Sequence, residues 1–340
     1  MPISFLQAIL KQSRFLVLLL LELSALHSPL YGNWHYFRTG NPDDLAVKPR
    51  GGFALLGGGA KQDPAFRYLC ERANGGDFLI LRANTEEDYA KQVDEEIKAI
   101  CPLNSVATIV FGDREDSSDP KIPEIIANAE VIFFAGGDQS NYVRFWQDTP
   151  VADALNRHIA AGKPIGGSSA GLAILGEFSF SSIIDTIHSA EALADPYGNK
   201  VTLSRDFLHI ALFNRTITDT HFVKRDRMGR LLVFMARVLQ DKWAPQVRAI
   251  AVEENAAVLV EPDGNAKIVG EGPAYFLQAT KPPGVCQRNT LLRFSGVAVH
   301  RAPANATFDL REWVGPGGED YSLSVKSGRI TAGSSHKGVY

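Results

Sequence analysis

The sequence predicts an α/β protein: a doubly wound, mostly parallel sheet flanked by helices, with a C-terminal β extension. From residue 52 onward, short apolar runs alternate with segments of helical periodicity, which is the pattern of βαβ units. Such runs are expected of parallel strands that are buried on both faces. The chain has 340 residues, of which 45% are hydrophobic and 21% charged, so it can build a sizeable core.

Residues 1–32 differ from the rest of the chain. Lys11 and Arg14 precede an apolar run, 15–21, which is the pattern of a secretory signal peptide. The run is shorter than the about 20 residues that span a bilayer. We therefore expect a signal peptide and export to the periplasm or the medium; without a signal the protein would be cytoplasmic. Glu22 interrupts the run and no A-x-A cleavage site follows, so an amphipathic extension or an unused upstream start stays open.

The predicted domain organisation follows from composition. Residues 33–51 are rich in Gly, Pro, Asn and Asp and are expected to be a linker. Residues 52–300 form the predicted α/β domain, and the polar, glycine-rich residues 301–340 form a C-terminal extension. Near the end of the domain, "AIAVEENAAVLVE", "AKIVGEGPAYFLQ" and "TLLRFSGVAVHR" are expected to form hairpins that finish or extend the sheet.

The elements of the domain alternate in order. Predicted strands are "FALLGG", "DFLILRAN", "VATIVFG", "VIFFAGGDQ" and "PIGG"; predicted helices are "DPAFRYLCERANGG", "EEDYAKQVDEEIKAIC", "PKIPEIIANA" and "VADALNRHIAAGK". Three strand ends carry glycines: Gly57–Gly59, Gly136–Gln139 and Gly166–Gly171. Sites in parallel sheets lie at the carboxyl ends of the strands, so we expect the functional site where these three ends meet.

Charge and cysteine content exclude several functions. The net charge of −3 favours neither nucleic acid nor an anionic membrane as a partner. Cys70, Cys101 and Cys286 are scattered and predict neither a metal site nor a disulfide framework, so we expect buried apolar cysteines. The "LLGGGAKQ" stretch lacks the third glycine of G-x-G-x-x-G and the acidic residue that should follow, which argues against a dinucleotide site.

Residues 167–171, Gly-Ser-Ser-Ala-Gly, fit the G-x-S-x-G pattern of a nucleophile elbow. A nucleophile on a tight strand-to-helix turn needs small residues two positions before and after it. The pattern favours Ser169 over Ser168, which has Gly166 before it and Ala170 after it. The helix start behind Ser169 would supply backbone N–H groups for an oxyanion. The alternative is a serine that only caps a helix at a glycine-rich turn.

A nucleophilic serine needs a base and a group that orients the base. Of the eight histidines, His221 stands out because it follows the strand-like "ITDT" and precedes a helix. His158 is instead expected on the solvent face of a helix. For the acid, Asp219, Glu253 and Glu254 all remain candidates, and Asp219 could instead orient a substrate amine or guanidinium.

Two further stretches are candidates for binding. A basic cluster, Lys224 to Arg230, follows His221 in a slightly acidic chain and predicts binding of substrate carboxylates through the forked donors of arginine. A solvated basic helix face is the alternative. In "FFAGGDQSNY", Gly136 and Gly137 offer backbone N–H groups for an oxyanion hole, and Asp138 and Gln139 could contact a substrate.

Five motifs together resemble a known family. In order, they are "FFAGGDQ", "GGSSAG", "DTHFVKRDRMGRL", "AVEENAAVLV" and "VGEGPAYFL". The sequence from about Gly52 to Gln278 resembles cyanophycinase and its relatives, serine peptidases related to dipeptidase E with a class I glutamine amidotransferase-like fold. The resemblance implies a peptide or cyanophycin-like substrate and neither metal nor organic cofactor. A homodimer is left open, and no nucleic-acid partner is expected.

The resemblance also assigns roles. It implies a Ser-His-Glu triad of Ser169, His221 and Glu254. We expect backbone N–H groups of Gly137 and Ala170 to form the oxyanion hole, an inference from the expected geometry of the elbow. The residues that the resemblance assigns to the substrate pocket are Gln139, Asp219, Arg225, Arg227 and Arg230.

The sequence departs from the family pattern at two motifs. "DTHF" stands where the family has "DQHF", so Thr220 replaces Gln, and "GGSSAG" stands where "GGTSAG" is common. The segment between Ser169 and His221 is also longer than typical. These departures bear on the substrate more than on the chemistry. The hypotheses are a cyanophycinase-type peptidase, an isoaspartyl or aspartyl dipeptidase, or a catalytically silent binding protein on the same fold. A glutamine amidotransferase would carry cysteine at the elbow.

Overall fold

The structure, a computed structural model, describes residues 33–60, 63–83, 97–333, 336 and 338–340. These residues form two β-sheets with helices packed against them. The predicted signal peptide lies outside the described residues, as does most of the helix predicted from residue 86, of which residues 97–100 are helical. In the described part of the chain no helix is long and apolar enough to cross a membrane.

Sheet A contains the parallel core that the sequence predicts. Its five central strands all run parallel, and antiparallel strands flank them on both sides. Its described strands, in spatial order, are β1 (His35–Gly40), β4 (Ser105–Val110), β3 (Asp77–Arg82), β5 (Val131–Phe134), β6 (Ile165–Ser168), β2 (Phe53–Leu56), β11 (Ala256–Val260), β12 (Asn265–Gly270) and β15 (Thr307–Asp309).

Both faces of the parallel core of sheet A are buried. Along β3, Phe78 and Ile80 join one apolar cluster while Leu79 and Leu81 join another on the opposite face. This alternation explains why the strand reads as an uninterrupted apolar run.

The described helices are α1 (Asp63–Ala73), α2 (Lys121–Asn128), α3 (Gln139–Trp146), α4 (Pro150–Ala160), α5 (Ala170–Ala173), α6 (Ser189–Ala194) and α7 (Met228–Gln240), with 3₁₀ turns at Glu115–Ser118 and Ala211–Phe213.

Sheet B is a second sheet that the sequence analysis did not predict. One of its strands runs parallel to both neighbours, and the other pairs are antiparallel. A separate apolar cluster, which includes helix α7, packs on it. Its described strands, in spatial order, are β17 (Arg329–Ala332), β16 (Glu319–Lys326), β14 (Phe294–Ala302), β13 (Ala274–Ala279), β10 (Val247–Val252), β9 (Thr216–Asp219), β7 (Phe178–Phe180) and β8 (Leu203–Arg205).

The strands after residue 247 divide between the two sheets. Strands β10 and β11 were expected to pair as a hairpin, but β10 belongs to sheet B and β11 to sheet A. Residues 253–255 therefore cross from one sheet to the other. This crossing matters for function because it carries Glu253 and Glu254 to the place where the sheets meet.

Two predicted segment boundaries were wrong. The predicted linker 33–51 contains β1, which pairs with β4 at the edge of sheet A. The predicted boundary at residues 300 and 301 falls inside β14, which pairs with β13 and β16 on its two sides. The stretch after residue 300 is therefore part of both sheets rather than an appendage.

Two expectations about single side chains also fail. His158 does not face solvent: it is 4% exposed, and its Nε2 lies 3.2 Å from the carbonyl oxygen of Pro164. Burial lowers the pKa of His158 to about 3, so the ring is neutral. Cys70 and Cys101 are bonded in a disulfide whose Cα atoms lie 6.2 Å apart, whereas Cys286 is a buried free thiol, as expected.

The disulfide predicts a thiol count. The protein is isolated from its native organism without reductant and then denatured. We expect one thiol, that of Cys286, to react with a maleimide. Three should react after reduction. Because the bond closes a loop of 31 residues, Cys70→Ser should lower the free energy of unfolding by about 3–4 kcal/mol. Three reactive thiols before reduction, counted by mass spectrometry, would contradict the disulfide.

Candidate active site

Ser169 lies on the turn between β6 and α5, at the carboxyl end of sheet A. Its backbone has φ 52° and ψ −113°, a conformation that non-glycine residues rarely adopt. Its N–H donates to the carbonyl of Leu56 at the end of β2, 3.1 Å away. Ser169 is therefore held in a strained turn by the neighbouring strand, as expected of a nucleophile elbow.

The glycines on either side of Ser169 are required by close packing. A Cβ on Gly167 would lie 2.4 Å from the carbonyl oxygen of Gly171. A Cβ on Gly171 would lie 2.1 Å from the carbonyl oxygen of Phe134. Both contacts are with backbone atoms, which cannot move aside cheaply. The small residues of the G-x-S-x-G pattern thus have the steric role that the sequence analysis gives them.

His221 follows β9 of sheet B and faces Ser169 across the junction of the two sheets. Ser169 Oγ lies 2.7 Å from His221 Nε2, and His221 Nδ1 lies 2.6 Å from Glu254 Oε1. A carboxylate can only accept a hydrogen bond, so Nδ1 carries the proton and Nε2 is left to accept from the Ser169 hydroxyl. The three side chains form a continuous Ser-His-Glu hydrogen-bond chain.

The three candidate acids have three different partners. Glu254 binds His221. The Glu253 carboxylate accepts from the backbone N–H groups of Val223 and Lys224 and so fastens the turn that follows His221. Asp219 instead accepts from Arg230, with Nε 2.8 Å from Oδ2. The sequence alone did not show which acid contacts His221. In the structure it is Glu254, because the side chain of the adjacent Glu253 points to the backbone of Val223 instead.

The loop Gly57–Gly59 holds His221 in place. The His221 N–H donates to the carbonyl of Gly57, 2.9 Å away, and the Asn255 N–H donates to the carbonyl of Gly58, 2.8 Å away. Gly58 has φ +105°, and a Cβ there would lie 2.3 Å from His221 Cε1. This loop was predicted to lie at the site, but not to hold His221. Its signal was the run of three glycines.

The basic cluster divides into buried and exposed members. Asp219 and Arg230 are each 2% exposed and bind each other, so they support the end of β9. Their binding of substrate stays a prediction. Arg227 donates to the carbonyl and the hydroxyl of Thr220, at 2.9 and 3.0 Å. Arg225 is exposed beside the site. The cluster therefore presents Arg225 outward and uses Arg227 and Arg230 mainly to hold the strand end.

The remaining predicted site residues also lie at the carboxyl ends of the strands. A Cβ on Gly136 would lie 3.6 Å from Ser169 Cβ, which places the β5 end beside the serine. The next residue, Gly137, is exposed and has φ +145°. Ala170 begins helix α5. Gln139 begins helix α3, and its side-chain amide donates to the carbonyl of Phe180, 2.6 Å away. The structure thus brings all three predicted strand ends together.

The electrostatics of the site favour a neutral base. Burial lowers the pKa of His221 below its usual 6.5, and the charges of Arg225 and Arg227 lower it further, against the raising effect of Glu254. The hydrogen bond from His221 lowers the pKa of Glu254, which stays ionised. A neutral imidazole held by a carboxylate, with a hydroxyl 2.7 Å away, can activate that hydroxyl as a nucleophile.

One group of carboxylates could hold a metal, but it lies at the amino ends of β3 and β5, opposite the carboxyl ends that carry the triad. Within the described ranges, ligand atoms of Asp44, Asp77 and Glu130 lie within 4.8 Å of one another. Asp77 accepts from the Ser105 hydroxyl at 2.6 Å, and Glu130 accepts from the Asp77 N–H at 2.7 Å. Protein donors therefore already engage the carboxylates of Asp77 and Glu130, and the group is separate from the triad.

Comparisons with known proteins identify a peptidase family. Residues 79–268 match the model of Peptidase family S51. The chain is 27% identical over 229 residues to cyanophycinases of Synechococcus elongatus and Thermosynechococcus vestitus. Each alignment covers 65% of this chain and 66% of the relative, so the chain spans just under two thirds of the length of these proteins.

A solved structure shares the fold. The crystal structure of a peptidase from an acI-B1 actinobacterium superposes with a TM-score of 0.53. The match covers 77% of this chain and 98% of the other, at 14% sequence identity. At that identity the likeness shows the fold alone.

Gly58 provides a steric test of the site. A Cβ added at Gly58 would displace the His221 ring, and a misplacement of about 1 Å can reduce activity about 100-fold. We expect Gly58→Ala to slow labelling of Ser169 by a fluorophosphonate by that order. The control is Gly75→Ala, since Gly75 also has positive φ (+82°) but nothing within 4 Å of its Cβ position. Labelling that stays fast in folded Gly58→Ala, or slows equally in the control, would contradict the argument.

The lowered pKa of His221 predicts the pH dependence. Nε2 must be unprotonated to activate Ser169. The rate of fluorophosphonate labelling should therefore be highest above the pKa of His221 and fall as the pH drops through it, with a midpoint below pH 6.5. Arg225→Gln removes a positive charge that disfavours the imidazolium. The pKa should therefore rise, moving the midpoint upward by roughly 0.2–0.5 pH units at low salt.

The matched control is Arg329→Gln, which removes an exposed arginine on β17, in a different part of sheet B. Its midpoint should equal that of the unchanged protein. A midpoint above pH 6.5 in the unchanged protein would contradict the lowered pKa of His221, and a downward shift in Arg225→Gln would contradict the effect of the Arg225 charge on it.

Proposed function

Because this chain belongs to peptidase family S51, we propose that it is a serine peptidase that hydrolyses aspartyl amide bonds through Ser169, His221 and Glu254. The observation that carries the proposal is the hydrogen-bond chain from Ser169 Oγ through the His221 ring to Glu254, with links of 2.7 and 2.6 Å. The strained elbow and the neutral imidazole support it.

The first half of the reaction forms an acyl-enzyme. Ser169 Oγ attacks the carbonyl carbon of the scissile amide as its proton moves to His221 Nε2. The backbone N–H groups of Gly137 and Ala170 stabilise the negative charge that develops on the carbonyl oxygen. His221 then gives the proton to the leaving nitrogen, the C–N bond breaks, and the amine departs. Glu254 holds the ring and stabilises the imidazolium.

The second half regenerates the enzyme. Water loses a proton to His221 Nε2 and attacks the ester carbonyl, and the same N–H groups bind the second oxyanion. The bond to Ser169 Oγ breaks, Oγ regains a proton from His221, and a carboxylic acid leaves. No metal or organic cofactor enters either half.

We propose as substrate the β-aspartyl-arginine polymer of the cyanophycin type. The relatives matched by the chain are named cyanophycinases, and exposed Arg225 lies beside the site, where it can bind an aspartyl carboxylate. Thr220, which replaces the family's glutamine, is engaged by Arg227. An isoaspartyl or aspartyl dipeptidase is the second candidate, because this replacement and the longer segment before His221 change the pocket. A silent binding protein is the third.

Export forms a second part of the proposal. Disulfides persist in oxidising compartments and are rare in the cytosol, so the Cys70–Cys101 bond supports export of this chain. The cationic and apolar pattern within residues 1–32 supports it independently. The thiol count tests this as well: three reactive thiols in protein taken from its own cells would argue against export.

The function is tested with two substrates and a serine variant. Purified protein is incubated with cyanophycin and, separately, with β-Asp-Arg dipeptide, and the products are identified by mass spectrometry. We expect dipeptide release from the polymer. Ser169→Ala should reduce the rate by about 10⁶-fold, the order seen when a triad nucleophile is removed. Ser168→Ala is the control and should keep the activity within about tenfold.

Each other outcome changes the proposal in a defined way. Cleavage of the dipeptide alone would make the protein an isoaspartyl dipeptidase. Activity that survives Ser169→Ala and is lost in Ser168→Ala would move the nucleophile to Ser168. No turnover of either substrate, with no fluorophosphonate labelling of Ser169, would favour the silent binding protein.

A further inference from the structure

Tyr340 is 119 residues from His221 along the sequence, yet it contacts the segment that carries this histidine. We define the basic turn as residues 222–227, between His221 and helix α7. We propose that Tyr340 is a positioning residue that holds the basic turn, and through it His221, against the junction of the two sheets. This inference rests on the proposed function, because it concerns the base of the same site.

The hydroxyl of Tyr340 joins the end of the basic turn to the start of helix α7. It accepts from the Met228 N–H at 2.9 Å and donates to Asp226 Oδ1 at 2.8 Å. Asp226 has φ +47°, so the turn needs support to keep this conformation. Burial raises the pKa of the Tyr340 hydroxyl above its usual 10, so the group stays protonated and can donate to the carboxylate.

The ring of Tyr340 supports the beginning of the same turn. It meets the ring of Phe222 edge-on, with centroids 5.7 Å apart, and the ring of Tyr275 at 6.1 Å. Phe222 is fully buried and directly follows His221. Phe222 and Tyr275 also contact each other, at 5.2 Å, so three rings form one cluster beneath the histidine.

Tyr340 is itself anchored by strand β16. The Tyr321 hydroxyl donates to the carbonyl of Val339 at 3.1 Å, and the His336 ring stacks on the Tyr321 ring at 3.9 Å. His336 Nδ1 lies 3.1 Å from Glu319. Because β16 is part of sheet B, these contacts fix Tyr340 to the same sheet that carries β9 and His221.

Several contacts hold the basic turn. Phe222 packs on the Tyr340 ring, Glu253 binds the backbone at Val223 and Lys224, and the Tyr340 hydroxyl binds Asp226 and Met228. The Ser189 hydroxyl also donates to the carbonyl of Asp226. Tyr340 contacts both the beginning and the end of the turn.

Tyr340 also helps to wall a cavity of about 450 Å³ beside the triad acid, which Glu253, Glu254 and Tyr275 line with it. This cavity is open to solvent, and the Glu254 side chain is 26% exposed in it. Loss of the ring would loosen the backbone that sets the distance of 2.7 Å between His221 Nε2 and Ser169 Oγ. The ring, which packs on Phe222, is expected to set the position of His221. The hydroxyl, which binds Asp226 and Met228, is expected to set the position of the arginines of the turn.

The test compares Tyr340→Ala and Tyr340→Phe with the matched control Tyr197→Phe. Tyr197 also binds a carboxylate, that of Asp241, but at the opposite end of helix α7. The measurements are kcat and KM, the rate of fluorophosphonate labelling of Ser169, and the pKa of the His221 ring by NMR. The His221 signal is assigned by its absence in His221→Asn.

We expect Tyr340→Ala to lower kcat and the labelling rate roughly 10- to 100-fold. The pKa of His221 should rise toward its ordinary value, because the burial that lowers it is reduced. Tyr340→Phe keeps the ring contacts, so kcat and the pKa of His221 should stay near those of the unchanged protein. KM should rise severalfold as the turn that carries Arg225 loosens. Tyr197→Phe should change none of these quantities.

Folded Tyr340→Ala with unchanged kcat, labelling rate and His221 pKa would overturn the proposal, as would equal effects in Tyr197→Phe. If Tyr340→Ala does not fold, Tyr340→Phe and Asp226→Ala decide, and an unchanged KM in both overturns it. The labelling rate and the pKa of His221 need no peptide substrate. A protein without peptidase activity whose His221 pKa still depends on Tyr340 would reject the proposed function and retain this inference.

Discussion

The rest of the site depends on backbone hydrogen bonds made at the end of β2 and in the loop Gly57–Gly59 that follows it. Within three residues, Leu56 accepts from Ser169, Gly57 accepts from His221, and Gly58 accepts from Asn255. Each partner comes from a different element, and two of these elements belong to, or cross from, the second sheet. Peptide groups are rigid donors and acceptors, so this loop sets the triad geometry more tightly than side-chain contacts could. Glycine is needed because the His221 ring occupies the space of a side chain at residue 58.

Beneath this loop, a buried ion pair holds the strand that leads to His221. Asp219 and Arg230 form a two-point contact that joins the end of β9 to helix α7. Removing two charges from water opposes folding, so such a pair is weak evidence of stability and stronger evidence of a fixed register. Its effect here is geometric: β9 cannot slide against α7 without leaving a buried charge unpaired. Arg227 strengthens this arrangement by binding Thr220, the residue between Asp219 and His221.

The sequence predicted those features that local pattern encodes. The elbow at Ser169 has a steric signature within five residues, and the parallel core of sheet A appears as alternating strands and helices. Direction and long-range pairing leave no such signature. Glu253 and Glu254 are adjacent and chemically alike, so only their side-chain directions show which one meets His221.

For the same reason the division of β10 and β11 between two sheets was missed, since a strand signal does not specify its neighbour. The Cys70–Cys101 bond joins residues that the sequence separates by 31 positions, and the pairing of Asp219 with Arg230 could not be told from two separate binding groups. The pattern identified the acids, the arginines and the cysteines, but not what each of them binds.

The crossing of residues 253–255 between the sheets has a consequence for how the protein matures. Ser169 ends a strand of sheet A, His221 follows a strand of sheet B, and Glu254 reaches the histidine from the crossing. A nascent or partly folded chain in which only one sheet has formed therefore holds at most part of the triad. Contacts between such distant parts of a chain form late and slowly. Hydrolytic activity would thus arrive with the last docking step, after both sheets have formed.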